Sequence, residues 1–276
     1  MSDVSAVFTK KYESEVAVEY QQQSSLMRST VRVKTAMGSE AVKFPWLGKI
    51  DAAQKGRNGK VPTSNVEHKS VEVKISDYYA AATIDEQDLD KLNFDARRPY
   101  VELGASALGR KADQIIIAAM SAGQTTDKGG NTQALDLAFI RKIISSFNKA
   151  LVPDDGKRFC AVGADQWETL MSFDEFVKSD YVGDSYPLLR GVENRKWRNI
   201  NWFVVPELPK PVATATTCFL YHQNAVGIAE SRKVTSKIEY RIDYDDYFCM
   251  NKMGMGAGVI DAAGVLKFTV KDAFGG

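Results

Sequence analysis

The sequence predicts an α+β fold, because helical and strand-like signals are segregated along the chain instead of alternating. Helical periodicity concentrates between Thr83 and Leu170, whereas two-residue alternation appears before Thr83 and again after Trp202. No strand–helix–strand unit recurs, and no internal repeat or low-complexity tract is present. With 276 residues the chain can bury a real core as one large domain or two smaller ones. Its 44% apolar and 26% charged residues are those of an ordinary globular protein, so nothing in the composition argues for disorder.

Residues 1–34 are polar, with Gln21-Gln22-Gln23 and apolar side chains too sparse to close a core. They read as an arm that rests on something else. Val31 and Val33 then alternate with Arg32 and Lys34, and Val71, Val73 and Ile75 alternate with Glu72, Lys74 and Ser76. Each stretch reads as a strand with one wet face. Together they predict a long antiparallel hairpin whose tip is the irregular segment Gly38–Ser64. That tip holds an apolar knot, Phe44-Pro45-Trp46-Leu47, followed by Lys49, Lys55, Gly56, Arg57, Gly59 and Lys60. A two-stranded hairpin is marginal alone in water, so this one must lie against another surface.

Thr83 and Glu86 have capping-box spacing, which predicts a short helix to about Lys91. Asp95 as cap, Pro99 in the first turn and Gly123 at the end define a longer helix over 96–122, roughly 40 Å long. Gly104 and Gly109 inside it point to close approach of another backbone along that face. Leu137, Ile140, Ile144, Phe147 and Leu151, with Ile143, form the apolar stripe of a second helix, which Pro153 stops. A strand over Lys157–Val162 follows, then a short helix from Gly163-Ala164-Asp165 carrying Trp167 and Leu170, and another capped by Asp174. Later strands are expected at Trp202–Val205, Cys218–Tyr221, Lys237–Ile242, Tyr247–Met253 and Val265–Val270, the last entered through the turn Asp261–Gly264.

The charges nearly cancel, at 36 basic and 35 acidic residues, which argues against a dedicated nucleic-acid binder. Cys160, Cys218 and Cys249 are odd in number and far apart, so they read as reduced core thiols, neither a disulfide framework nor a zinc site. The N-terminus lacks signal-peptide character, and no run of about 18 apolar residues is present to span a membrane. Gly254-Met255-Gly256-Ala257-Gly258 follows a strand, but no helix begins after it to receive a pyrophosphate; it reads as a glycine-rich bend. Gly56-Arg57-Asn58-Gly59-Lys60 lacks the P-loop spacing and reads as a basic loop. His68 and His222 have no partners at metal-ligand spacing, and a structural role fits both. Asp243, Asp245 and Asp246 do not follow an EF-hand pattern and read as a solvated turn. Neither a catalytic residue, nor a cofactor, nor a metal site is expected.

The order arm, hairpin, long helix, second helix and late β-region resembles that of tailed-bacteriophage major capsid proteins. Further likeness lies in GVENRKWRNINWFVVPELPKP (Gly191–Pro211), in Phe219–Ile228 and in Lys237–Met250. The resemblance implies the Hong Kong 97-type fold: an N-terminal arm (1–34), an extended hairpin loop or E-loop (35–82), a peripheral domain (83–158 and 233–256) with its spine helix, and an axial domain (159–232 and 257–276). It implies a structural protein that assembles into hexamers and pentamers of an icosahedral shell around double-stranded DNA. Assembly is implied in the host bacterial cytoplasm, with the virion as destination. Scaffolding and portal proteins, and a decoration protein, are the partners it implies. A separate scaffold is expected because no N-terminal coiled coil is visible, and Lys178–Arg198 is left unaligned with the family as a whole stretch. On this resemblance Phe44, Trp46, Leu47, Arg57 and Lys60 are the expected intersubunit anchors of the hairpin. Two other readings stand beside it: an encapsulin-type enzyme compartment, and an α+β enzyme binding a nucleotide at Gly254–Gly258.

Overall fold

A computed structural model describes residues 24–36, 38–48, 50, 52–63, 66–87, 97–124, 126–177, 194–231 and 234–273. In chain order the elements are β1 (Arg32–Thr35), β2 (Ala41–Leu47), β3 (His68–Lys74), β4 (Ser76–Asp85), α1 (Arg97–Gly123) and α2 (Leu137–Lys149). Next come β5 (Arg158–Val162), α3 (Ala164–Met171), α4 (Asp174–Val177), β6 (Asn194–Trp197), β7 (Ile200–Val204) and β8 (Ala215–His222). The chain closes with β9 (Val226–Glu230), β10 (Thr235–Arg241), β11 (Asp246–Val259) and β12 (Val265–Lys271).

The described residues form three sheets. The first is organised by β11, a strand of 14 residues. Residues Asp246–Lys252 pair with β10 and β4 at once, so these two strands occupy opposite edges. From Met255 onward β11 pairs with β9, and β9 carries β1 on its far side. The second sheet has the order β12-β8-β5-β7-β6. Its strand β8 is buried along its whole length, in keeping with the near-continuous apolar run Cys218–Tyr221. The third sheet is the two-stranded hairpin β2–β3.

Helix α1 packs across β11 and β4. Leu108, Ala112, Ile116, Ile117 and Met120 on α1 enter the main core with Phe139, Ile140 and Phe147 of α2 and with the inner faces of the sheets. The two glycines of α1 are explained by what touches them. A Cβ at Gly109 would lie 3.0 Å from the Ser25 backbone nitrogen, and one at Gly104 would collide with the Asn251 side chain. The expected backbone approach therefore occurs at Gly109, while Gly104 admits an asparagine that donates to the Val101 carbonyl at 3.1 Å. Asp136 caps α2 by accepting from the Phe139 amide at 2.7 Å. The helix ends before Leu151, which takes a positive φ of 58° ahead of Pro153.

Several expectations are corrected. The Val31–Lys34 stretch does form a strand, but β1 pairs in parallel with β9 and not with Val71–Ile75. The expected dry face is absent too, since all four residues of β1 are exposed; alternation in sequence fixes neither the burial nor the neighbour. The hairpin is instead closed by β2, which runs through the segment expected to be irregular. Thr83 lies inside β4, so the Thr83–Glu86 capping box is not used; Asp85 accepts from the Gln87 amide at 2.8 Å instead. The remainder of that helix, Asp95, Gln21–Gln23 and most of Lys178–Arg198 lie outside the described residues. Gly254–Gly258 is not a bend but the interior of β11, where its partner changes from β4 to β9. Gly256 is needed because the Lys74 carbonyl at the hairpin base occupies the space of a side chain.

Candidate assembly surfaces

The hairpin has two parts that differ in burial. In β2, Val42 and Phe44 point inward while Lys43, Pro45 and Leu47 point out, as a two-residue period dictates. Phe44 is 0% exposed and packs with Val42, Val73, Ala229 and Ile260 in a small second core. Arg32 and Lys34 of β1 each lie 5.9 Å from the centre of its ring. Phe44 is thus an anchor to the chain's own body, which corrects its expected role as an intersubunit anchor. Trp46 is half-buried on the same face, with the Lys69 ammonium of the facing strand 5.4 Å above its ring.

Beyond Trp46 the character changes. Leu47, Ile50 and Val61 are 61%, 62% and 67% exposed. Arg57 and Lys60 are exposed in a turn closed by the Gly59 amide donating to the Gly56 carbonyl at 3.0 Å. Asn58 takes the turn's left-handed position at φ 68°. Residues 52–63 carry Lys55, Arg57 and Lys60 and no carboxylate.

A contact within the chain went unread in the sequence. The end of the expected arm is held down by two carboxylates. Asp113 on α1 accepts from the Leu26 and Met27 amides, each at 3.0 Å, and from the Ser25 hydroxyl. Glu230 at the end of β9, 1% exposed, takes both Nε and Nη2 of Arg28 at 2.5 and 2.7 Å. The bond to Glu230 raises the Arg28 pKa above its ordinary value. Thr30 and Tyr221 share a buried hydroxyl contact at 2.5 Å. The available signal was Asp113 itself: a carboxylate between Ala112 and Ile116 on a core-facing stripe must meet donors from another segment.

Among the polar residues that could have carried chemistry, His222 and Asp246 have structural partners. His222 is buried; its Nδ1 accepts from the Asn224 amide at 3.2 Å, so Nε2–H donates to Asp155 Oδ1 at 3.0 Å. That bond holds the Asp155 carboxyl below its ordinary range. His68 is exposed on β3. The three cysteines are buried free thiols; burial raises Cys160 well above the usual value and Cys218 to about 12, far from a reactive thiolate. Asp246 pairs with Arg241 through two bonds of 2.8 and 2.5 Å, while Asp243 and Asp245 are exposed in the β10–β11 turn. Among the described residues no group of His, Cys, Asp and Glu is arranged to hold a metal.

The sequence matches the family described as "Phage capsid protein" over residues 4–272. The chain belongs to that family. Its fold is that of Hong Kong 97-type capsid structures, and its role is that of a structural capsid protein. Solved structures with the same fold include one from Mycobacterium phage Che8, with 16% identity, a TM-score of 0.73, and coverage of 96% of this chain and 97% of the other. The capsid of cyanophage P-SCSP1u gives 15% identity, a TM-score of 0.71, and coverage of 97% and 94%. The capsid asymmetric unit of cyanophage Pam1 gives 12% identity, a TM-score of 0.71, and coverage of 99% of both chains. No curated protein sequence matches the chain. For this capsid-family member the five expected anchors divide as follows: Phe44 is spent inside the chain, Trp46 is half-covered, and Leu47, Arg57 and Lys60 are exposed.

Proposed function

We propose that this chain is the shell-forming subunit of an icosahedral phage head, assembling into hexamers and pentamers around double-stranded DNA. The observation that carries the reading is the hairpin: rooted by Phe44, it projects Leu47, Ile50 and Val61 with Arg57 and Lys60, all exposed among the described residues. Exposed apolar side chains on a projecting element are normal only singly; grouped, they mark a partner surface. The partner is another copy, because a shell subunit meets its own kind on every side. In this reading residues 1–34 are the arm, 35–82 the E-loop, 83–158 and 233–256 the peripheral domain, and 159–232 and 257–276 the axial domain. Leu47, Arg57 and Lys60, with the free edge of Trp46, are the intersubunit contacts. The protein catalyses no reaction. It works with a scaffolding and a portal protein, and with a decoration protein on the outside, and it assembles in the host bacterial cytoplasm before residing in the virion.

The test is electron microscopy of the full chain expressed with its neighbouring genes, beside a variant in which 52–63 is replaced by a two-residue turn. Removing only the tip spares the Phe44 root, so the subunit stays folded. Closed particles from the unaltered chain and none from the variant are expected. Normal particles from the variant refute the hairpin's role.

A further inference from the structure

The turn at the hairpin tip holds a chemically labile pair. Asn58 is the one asparagine in the chain that is followed by glycine. Gly59 has no Cβ to shield its amide nitrogen or to restrict its backbone, so that nitrogen can swing onto the Asn58 side chain. Ring closure between neighbouring residues is intramolecular, which removes the cost of bringing two reactants together. The fold leaves this pair open. Asn58 is exposed, and a Cβ at Gly56 would meet nothing within 4 Å. Among the described residues the Asn58 carboxamide has no hydrogen-bond partner. Other asparagines are tied down: Asn148 Oδ1 accepts from Arg158 at 2.8 Å, Asn199 donates to Asp154 at 2.6 Å, and Asn251 donates to the Val101 carbonyl at 3.1 Å. One restraint opposes closure, the Gly59 amide donating to the Gly56 carbonyl at 3.0 Å. Among the described residues it is the only backbone hydrogen bond within 52–63, and a lone exposed bond opens readily.

We propose that Asn58–Gly59 is a spontaneous deamidation site of the free subunit, and that the reaction limits how long the tip stays competent for assembly. The Gly59 nitrogen gives its proton to a solvent base and attacks Asn58 Cγ. A bond forms between that nitrogen and Cγ, and the bond from Cγ to Nδ2 breaks. Nδ2 takes up a proton and leaves as ammonia, and a succinimide ring remains. Water then opens the ring at either carbonyl, giving aspartate or isoaspartate; nothing is oxidised or reduced. Arg57 and Lys60 flank the pair, and their positive charge favours loss of the amide proton. Aspartate would be the first carboxylate within 52–63, beside cations that the chain leaves exposed. Isoaspartate lengthens the backbone by one carbon at the residue that holds the turn's left-handed position. In a closed shell the tip is covered and the turn is held shut, so the reaction belongs to subunits still waiting to assemble. The consequence for assembly rests on the shell-subunit reading above; the chemistry does not.

The test ages the full chain as free subunit and as closed particle, at neutral pH and above. Peptide mass spectrometry reads the amide-to-acid change at each asparagine, and sedimentation with microscopy reads the particle yield of aged subunit. Conversion is expected first at Asn58, faster as pH rises, and about tenfold or more slower in the particle than in the subunit. Yield is expected to fall in proportion to the fraction converted. Two variants remove the reaction in different ways. Asn58→Gly keeps the left-handed position without the amide. Gly59→Ala keeps the amide but hinders closure, and its Cβ would stand 3.4 Å from the Gly56 carbonyl oxygen, which that open turn can accommodate. Both are expected to hold their fresh yield on ageing; if fresh Asn58→Gly assembles poorly, Gly59→Ala carries the comparison. Asn58 intact while another asparagine converts overturns the site. Full conversion at Asn58 with undiminished yield, or a yield that falls equally in the variants, overturns its bearing on assembly. Conversion at Asn58 without particles from the fresh, unaltered chain under any condition upholds the site and overturns the shell-subunit reading.

Discussion

Residues 42–46 and 52–63 belong to one hairpin but obey different rules. The root alternates inward and outward, buries Phe44 completely and shares a small core with β9 and Ile260. The tip keeps a turn at Gly56–Gly59 but exposes its apolar and cationic side chains together. The root is therefore stabilised inside one chain, while the tip is left exposed. A limb built this way holds a fixed direction before it meets a neighbour, which lowers the ordering cost of docking.

The contrast can be broken at the root first. Phe44→Ala empties a fully buried site and is expected to cost about 3–5 kcal/mol in denaturant unfolding of the isolated subunit. A loss under about 1 kcal/mol means that the root is not a core. Next comes the neighbouring clamp: Arg28→Ala leaves Glu230 buried without its bidentate partner and is expected to cost about 1–2 kcal/mol, less than for a fully buried pair because Arg28 is half-exposed. Thermal melting reads this, and an unchanged midpoint removes the clamp from the account.

A smaller effect separates interior carboxylates from those at the surface. Burial pushes the Asp272 carboxyl up, but donors from Thr216, Lys210 and Gln166 outweigh it and hold the group below its ordinary range. A lowered folded-state pKa gives stability that is present above the unfolded value, about pH 4, and lost as pH falls through the folded value. Subunit melting temperature measured from neutral pH down to about 3 should therefore fall less steeply in Asp272→Asn than in the unaltered chain. Parallel curves contradict this. The smallest change in folding belongs to the tip: Leu47→Ser should alter subunit stability by no more than about 0.5 kcal/mol while reducing particle yield. A large loss of subunit stability there places Leu47 with the root.

The sequence showed the helices well because their periodicity is self-contained. The expected 96–122 and the observed Arg97–Gly123 differ by a residue at each end. Strands were visible wherever alternation or an apolar run persisted, as in β5, β8, β10 and β12. Their partners were not, since pairing joins residues almost two hundred positions apart, as when β1 meets β9. Strand β9, Val226–Glu230, is short and carries a glycine; β4 contains Ala80-Ala81-Ala82, which has no strand propensity. Pro45 hid β2, although an outward proline on a strand with one open side breaks no sheet bond that matters. Of the hairpin, the exposure of the tip was legible because an irregular, glycine- and lysine-bearing segment cannot close a core around its apolar side chains. The root was not: whether Phe44 faces in or out depends on register, which only the folded chain sets.

Amide hydrogen exchange on the isolated subunit and on the closed particle tests the central division most directly. The account predicts slow exchange at Val42, Phe44 and Trp46 in both states, and at 52–63 fast exchange in the subunit that becomes slow in the particle. Equal exchange at 52–63 in the two states, or slow exchange there already in the isolated subunit, contradicts it.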